Sequence, residues 1–285
     1  EGMVKEAREA GYKAGWFSGD EARRMDNTLS NEVRAAAIND VAQVEPFRYT
    51  LALAQASEKL GVTIKYARVI GFSHNKNRVN SVILDKGNEI KADKVVIAMG
   101  PWSSVALGWL GLKLPMATVR GQTLKLIAPK RPQFQLSGRL DRPREWPRVY
   151  LLISPRVDGT LLVGYTEDRT ENWDDLKPES WMDYPSSEMT NIILEDTIRA
   201  VPVLSDAILV EERAGIIAYP PAEGMVIGEV PDWNNVYLAT IGDNGIALSP
   251  EMGRIISNLI IGGEYAVKAR DEIKSIEPMR FIKLS

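Results

Sequence analysis

Two stretches decide how this chain is read. The first is Lys94-Val95-Val96-Ile97-Ala98-Met99-Gly100-Pro101-Trp102-Ser103, and the second is Val236-Tyr237-Leu238-Ala239-Thr240-Ile241-Gly242-Asp243-Asn244-Gly245-Ile246-Ala247-Leu248-Ser249-Pro250. Lys94–Met99 is almost continuously apolar, as expected of a strand buried on both faces. It ends in a glycine, which lets a ligand approach the backbone where a side chain would block it. A helix is expected from Pro101 to Leu110. In the second stretch a strand feeds a glycine-bounded turn. A helix is expected from there to Ile261, with Ser249 as its cap and Pro250 at its first position. Ligands of open α/β sheets bind where strands end in this way. The amides at a helix start point outward and favour negative charge.

Working outward, Ser18 and Glu21 have the spacing of a capping box. In Phe47–Leu60 the residues Tyr49, Leu53, Ala56 and Leu60 recur at helical steps, and Gly61 stops the helix. Strands are expected at Val62–Tyr66, Arg68–Phe72, Val79–Leu84 and Glu89–Lys91. The middle of the chain reads as antiparallel: Thr118–Ile127, then Arg148–Ser154 and Thr160–Thr166 around the turn Val157-Asp158-Gly159. Pro129–Arg148 reads as a surface excursion and Ser186–Val201 as a helix. Ala207–Ile217 and Met225–Gly228 complete the strands. The order implies a mixed α/β (α+β) fold with an antiparallel sheet inserted in an α/β core.

Composition narrows the function. Among 285 residues, 35 Lys and Arg stand against 38 Asp and Glu, which leaves no basic excess for nucleic acid. No apolar run is long enough to span a membrane. There is no cysteine, so disulfides, zinc–thiolate sites and thiol nucleophiles are excluded. The single histidine, His74, reads as part of a polar turn, Ser73–Asn77, so no metal site is expected. Asp174-Asp175 and Glu211-Glu212 read as solvated surface charge. Arg120-Gly121-Gln122 puts an arginine in an apolar strand, where it needs a partner. Tyr150, Tyr165 and Tyr219 lie on or beside the antiparallel strands, where a tyrosine packs or orients a ligand.

Taken in order, these segments resemble the D-amino-acid-oxidase-like superfamily of FAD-dependent oxidoreductases, above all its glycine oxidase, sarcosine oxidase, dimethylglycine dehydrogenase and proline dehydrogenase branches. Val44-Glu45-Pro46 followed by Gly61-Val62 is similar to the entry into that family's central FAD segment. Ala98-Met99-Gly100-Pro101-Trp102-Ser103 resembles its A-x-G-x-W-S, and Leu114-Pro115 with Arg120-Gly121-Gln122 its L-P…R-G-Q. Gly164-Tyr165-Thr166-Glu167 resembles its G-x-T-x-E. Ala214-Gly215, Ile227-Gly228 and Ala239–Gly253 resemble its C-terminal flavin-binding segment.

The resemblance implies a partial FAD-binding Rossmann-like domain at 46–112 and 223–285, interleaved with an antiparallel-sheet substrate domain at 1–45 and 113–222. It implies non-covalent FAD, held by Val69, Ala98, Gly100 and Trp102 and by Gly242, Asp243, Asn244, Gly245, Ile246 and Ala247. Tyr150, Tyr219, Ile217 and Ile241 fall on the substrate side. The implied reaction is oxidation of the carbon–nitrogen bond of an amine or N-substituted amino acid. No residue is assigned as catalytic, and a cytoplasmic enzyme is expected.

Two departures qualify the match. No strand with G-x-G-x-x-G precedes Ser18-Gly19-Asp20-Glu21, so the chain is expected to lack the family's N-terminal βαβ unit. It would then bind FAD weakly or act as a non-catalytic fragment, with an apolar face and sheet edge open to a partner chain or to self-association. In addition, Ile217 or Ala218, Asp243 and Ala247 fall where relatives anchor a substrate carboxylate, and none is cationic. A coincidental likeness would leave the Gly100 and Gly242–Gly245 turns apart. A true one places them side by side at one end of a shared sheet.

Overall fold

The computed structural model describes residues 2–39, 42–138, 140, 151–166, 185–242 and 244–284. In chain order, the N-terminal stretch holds α1 (Gly2–Glu9), β1 (Ala14–Ser18), α2 (Gly19–Met25), β2 (Ala35–Asn39) and α3 (Pro46–Lys59). Next come β3 (Val69–Asn75), β4 (Arg78–Leu84), β5 (Glu89–Lys91) and β6 (Val95–Ile97). A 3-10 turn at Gly100–Trp102 leads into α4 (Ser103–Gly108), followed by β7 (Leu112–Lys113) and β8 (Ala117–Ile127). Then follow β9 (Leu136–Gly138), β10 (Leu151–Pro155), β11 (Leu161–Thr166), α5 (Ser187–Ala200), β12 (Ile208–Tyr219) and α6 (Pro221–Gly224). The chain ends with β13 (Met225–Glu229), β14 (Val236–Ile241), α7 (Gly245–Ile261), α8 (Gly263–Ile273) and β15 (Lys283–Leu284).

The described residues fall into two compact units, one of residues 2–39, 42–43, 120–138, 140, 151–166 and 185–215 and one of residues 44–119, 216–242 and 244–284. The boundaries read from sequence fall after residues 45, 112 and 222.

The first unit is built on a sheet of order β12-β8-β11-β10-β9, in which β8–β11, β11–β10 and β10–β9 pair antiparallel. Alternation along its strands turns Leu124 and Leu126, Leu151 and Ile153, and Leu161 and Val163 into one buried cluster. The amphipathic helix α5 adds Met189, Ile192 and Ile193 to that cluster. The fully buried Gln122 ties helix to sheet: its Nε2 donates to Thr190 Oγ1 at 2.7 Å and to the Ser186 carbonyl at 3.1 Å, and its Oε1 accepts the Ser186 amide at 2.9 Å. Thr190 passes the chain on, its hydroxyl donating to Glu212 at 2.5 Å. The Val157–Gly159 turn does join β10 to β11, with Gly159 at φ +89. Asp158 accepts the Thr160 hydroxyl and amide, which hold its carboxyl down at about 2. Part of the expected surface excursion is strand β9, paired with β10.

In the second unit β14 is buried on both faces. Val236 and Leu238 enter a cluster with Val79, Val95, Ile97 and Leu107, while Tyr237 enters another with Met252, Ile255, Ile256 and Ala269 of α7 and α8. The sheet order is β13-β14-β6, with β13–β14 antiparallel and β14–β6 parallel. A separate antiparallel sheet, β3-β4-β5, carries Val69 opposite Leu84.

Four expectations change. β6 is the edge of its sheet among the described residues, so Val96 is 40% exposed instead of being buried on both sides. Val62–Tyr66 finds no strand to pair with and is irregular, with its apolar side chains exposed. α3 forms where the periodicity puts it and ends before Gly61 at φ +92, yet none of its residues is buried. His74 sits at the end of β3, not in a turn, with its ring edge-on to Trp233 at 5.0 Å between centroids.

Two stability outcomes follow. Gln122→Leu takes the side-chain partner from the half-buried Ser186 amide and carbonyl and from the buried Thr190 hydroxyl, at an expected cost of about 1–3 kcal/mol in urea denaturation. The capping box forms as read: Ser18 Oγ accepts the Glu21 amide at 3.3 Å, and Glu21 accepts the Ser18 amide at 2.8 Å. Ser18→Ala is expected to cost about 1 kcal/mol near neutral pH. The Ser18 amide, then its hydroxyl, lower the Glu21 pKa below its ordinary 4.5. That bonding therefore stabilises the fold above 4.5 and fades as pH falls below it. Denaturation of the variant alongside wild type is expected to show the gap narrowing in acid.

Candidate functional site

The parallel pairing of β6 and β14 places Val95 opposite Val236, Val96 opposite Tyr237 and Ile97 opposite Leu238. Three residues beyond Ile97 the chain reaches Gly100, and four beyond Leu238 it reaches Gly242. The two glycine turns therefore leave the same end of neighbouring strands, and the Gly100–Trp102 turn packs against β14. This is the arrangement that a coincidental likeness would have lacked.

The two turns use glycine for different reasons. Gly100 has φ +52, a left-handed conformation that side chains disfavour, yet a Cβ there would meet nothing within 4 Å. Its surroundings are open space. Gly242 is crowded instead: a Cβ there would lie 2.2 Å from the Ala218 carbonyl oxygen. Its amide donates to the Gly224 carbonyl at 2.7 Å, which pins the end of β14. Asn244 follows at φ 62, in the left-handed region, and α7 begins at once with Gly245.

α7 thus starts four residues before the expected Ser249 cap. Pro250 lies inside the helix and cannot donate to the Ile246 carbonyl. The Ser249 hydroxyl donates to that carbonyl instead, at 2.9 Å, which lets the helix run through. The Leu248 amide bonds to the Asn244 carbonyl. The amides of Gly245, Ile246 and Ala247 precede any intrahelical acceptor and carry the positive end of the dipole of a 17-residue helix. Ile246 and Leu248 are about two-fifths exposed beside them, as is Trp102 at the other turn.

Tyr219 and Ile217, half-buried, sit at the end of β12, with the buried Ala218 between them facing Gly242. The Tyr219 ring lies over Gly242 and Gly224. Ile241 pairs with Met225 just before the second turn. Ala98 is exposed after β6. Val69 lies on the separate β3-β4-β5 sheet of the same unit. Tyr150 and Asp243 lie outside the described residues, as do the side chains of Arg120 and Tyr165.

None of the candidate side chains that are described is charged, so the positive character of the site comes from the helix end. The nearest ion pairs on α7 are self-contained: Arg254 binds Glu251 and Glu272, and its hydrogen bond holds the Glu251 carboxyl below the ordinary value. Three buried hydroxyls have no hydrogen-bond partner among the described residues, and two of them flank these turns: Ser103 opens α4 after the first, and Thr240 lies in β14 before the second. Sequence reasoning missed Ser103, Thr240 and Gly224, because nothing in their spacing signals burial or close approach. No group of residues that could hold a metal occurs among the described residues. No described helix is long and apolar enough to cross a membrane.

Comparison with known proteins bears on the same segments. Glycine oxidase of Pseudomonas aeruginosa is 31% identical over 201 residues, 69% of this chain and 49% of that protein. D-amino acid dehydrogenase of Rhizobium johnstonii is 27% identical over 227 residues, 79% of this chain and 50% of that protein. The crystal structure of glycine oxidase from Bacillus cereus matches with a TM-score of 0.73 at 23% identity, covering 94% of this chain and 70% of that one. The chain thus spans about half the length of these curated relatives. A model of the FAD dependent oxidoreductase family matches residues 1–259, and the chain belongs to that family.

Proposed function

We propose that this chain forms the flavin- and substrate-orienting part of an FAD-dependent oxidoreductase that oxidises the carbon–nitrogen bond of an amine or N-substituted amino acid. The observation that carries the reading is the pair of glycine turns side by side at the end of parallel strands, one of them opening a helix toward solvent. The open space at Gly100 and the unpartnered hydroxyls of Ser103 and Thr240 fit a bound group there.

When bound, FAD supplies the electron sink: a hydride leaves the carbon next to nitrogen, and water hydrolyses the resulting imine. The residues of this chain bind and orient. The amides of Gly245, Ile246 and Ala247, with the backbone of Asn244 and Asp243 before them, would hold the polar edge of the flavin and favour negative charge there. Gly242 would let the backbone come close, Ala98, Gly100 and Trp102 would line the place of the ring, and Val69 would serve the adenine. Tyr219, Ile217 and Ile241 would wall the substrate side and exclude water. No described cation is available there for a carboxylate, which favours an amine or N-substituted amino acid over a simple α-amino acid. No cysteine needs an oxidising compartment, which suits a cytoplasmic setting.

A second reading, a fragment or subunit that needs a partner to hold FAD, is favoured by α3. Phe47 is 71% exposed, Leu53 49% and Leu60 87%, and β6 leaves a free edge beside Val96. An α/β segment that covers these surfaces and binds the pyrophosphate would complete the site.

Calorimetric titration of the purified chain with FAD separates the two. One FAD per chain, with a dissociation constant in the micromolar range or weaker, is expected for the first; no heat and no flavin fluorescence quenching would sink it in favour of the second. Gly242→Ala forces a Cβ against the Ala218 carbonyl. It is expected to cost about 1–3 kcal/mol of stability and to weaken flavin binding at least about tenfold, read in the same titration.

A further inference from the structure

We infer that Asn235 is the positioning residue of the cofactor groove, joining the sheet that carries Val69 to the sheet that carries the two glycine turns. The inference rests on the flavin reading above. Asn235 is fully buried, immediately before β14. Its Oδ1 accepts the Val79 amide at 3.0 Å, and its Nδ2 donates to the Val79 carbonyl at 2.8 Å and to the Asp93 carbonyl at 3.0 Å. Its own carbonyl accepts the Val95 amide at 2.9 Å. The neighbouring Asn234 amide donates to the Asn77 carbonyl, also at 2.9 Å.

A carboxamide carries the same donor and acceptor as a peptide group. The Asn235 side chain therefore pairs with Val79 as a strand residue would, in a ring of two hydrogen bonds, and its second N–H reaches the segment leading into β6. Only one orientation of the amide fits: reversed, Oδ1 would face two carbonyls. Both donor hydrogens are used, so no other side chain of this size repeats the pattern.

The two ends of the groove are both referenced to this one group. On one side, Val79 lies on β4, which pairs with β3 so that Leu84 sits opposite Val69. On the other, the bond to Val95 sets the register in which β6 and β14 run to Gly100 and Gly242. The apolar packing of Val79, Val95 and Val236 holds the sheets together but is non-directional and does not choose a register. A ligand that spans both sheets, as FAD would between Val69 and the glycine turns, depends on that joint. A ligand that touches the turns alone does not.

Asn235→Asp keeps the acceptor and turns the donor into a carboxylate oxygen facing two carbonyls, a repulsion relieved when the acid protonates. Asn235→Ser removes the ring with little steric demand. The test titrates the full-length wild type and both variants with FAD and with lumiflavin, which has no adenine, after circular dichroism has checked folding. Near neutral pH, Asn235→Asp is expected to weaken FAD binding about tenfold or more, with lumiflavin binding changed less than about twofold and part of the FAD loss regained in acid. Asn235→Ser is expected to show the same split between ligands without recovery in acid. Equal losses for both ligands, no loss for either, or failure of both variants to fold would overturn the inference and leave Asn235 a residue of folding alone. A wild-type chain that does not bind FAD fails the reading of the site itself, and the inference with it.

Discussion

The parallel pairing of β6 with β14 is the constraint on which the candidate site depends. Parallel strands need a long crossover, and here nearly the whole middle of the chain lies between Ile97 and Val236. The site is therefore assembled from distant segments. Its geometry cannot come from local preference at Gly100 or at Gly242. It comes from β14, whose two buried faces lock it between separate apolar clusters while the Gly242 amide ties its end to Gly224. A strand held on both faces and at its end has little freedom to slip, so the place at which the chain leaves it at Gly242 is fixed.

That anchoring bears on the backbone conformations beside it. A left-handed Asn244 and a glycine pressed against a carbonyl both carry a conformational cost, and they persist because the surroundings over-determine them. What they achieve is an abrupt helix start whose amides face solvent, bordered by exposed Ile246 and Leu248. Apolar side chains beside the amides of a helix start suit a flat ring with a polar edge better than they suit water.

Much of this was legible in the sequence, and the failures are instructive. The Asp-Gly turn between β10 and β11, the Ser18–Glu21 box and the extent of α3 are set by neighbours a few residues apart, so local pattern sufficed. Both glycine segments were legible for the same reason. The start of α7 was not, because a Ser-Pro pair favours a helix beginning, and only the Ser249 hydroxyl bonded to the Ile246 carbonyl shows that the proline sits inside the helix. Val62–Tyr66 has the composition of a strand but no partner, and a strand exists only as part of a pair. Asn235 reads as one more polar residue in a Trp-Asn-Asn turn. Its role depends on Val79 and Asp93, more than 140 residues away along the chain.

The exposed face of α3 and the edge of β6 have a bearing on the electrostatics. Under the flavin reading, the described part of the site offers a helix dipole and no side-chain cation, enough for the partial charge at a flavin edge but small against a pyrophosphate. Orientation of the ring and retention of the dinucleotide are then separable tasks. Residues around Gly100 and Gly242 carry the first. The second calls for backbone donors or cations from a segment that covers the surfaces now open beside Val96 and along α3. The same segment would bury Phe47, Leu53 and Leu60, so cofactor retention and completion of the apolar core would be one event, with FAD affinity rising together with stability.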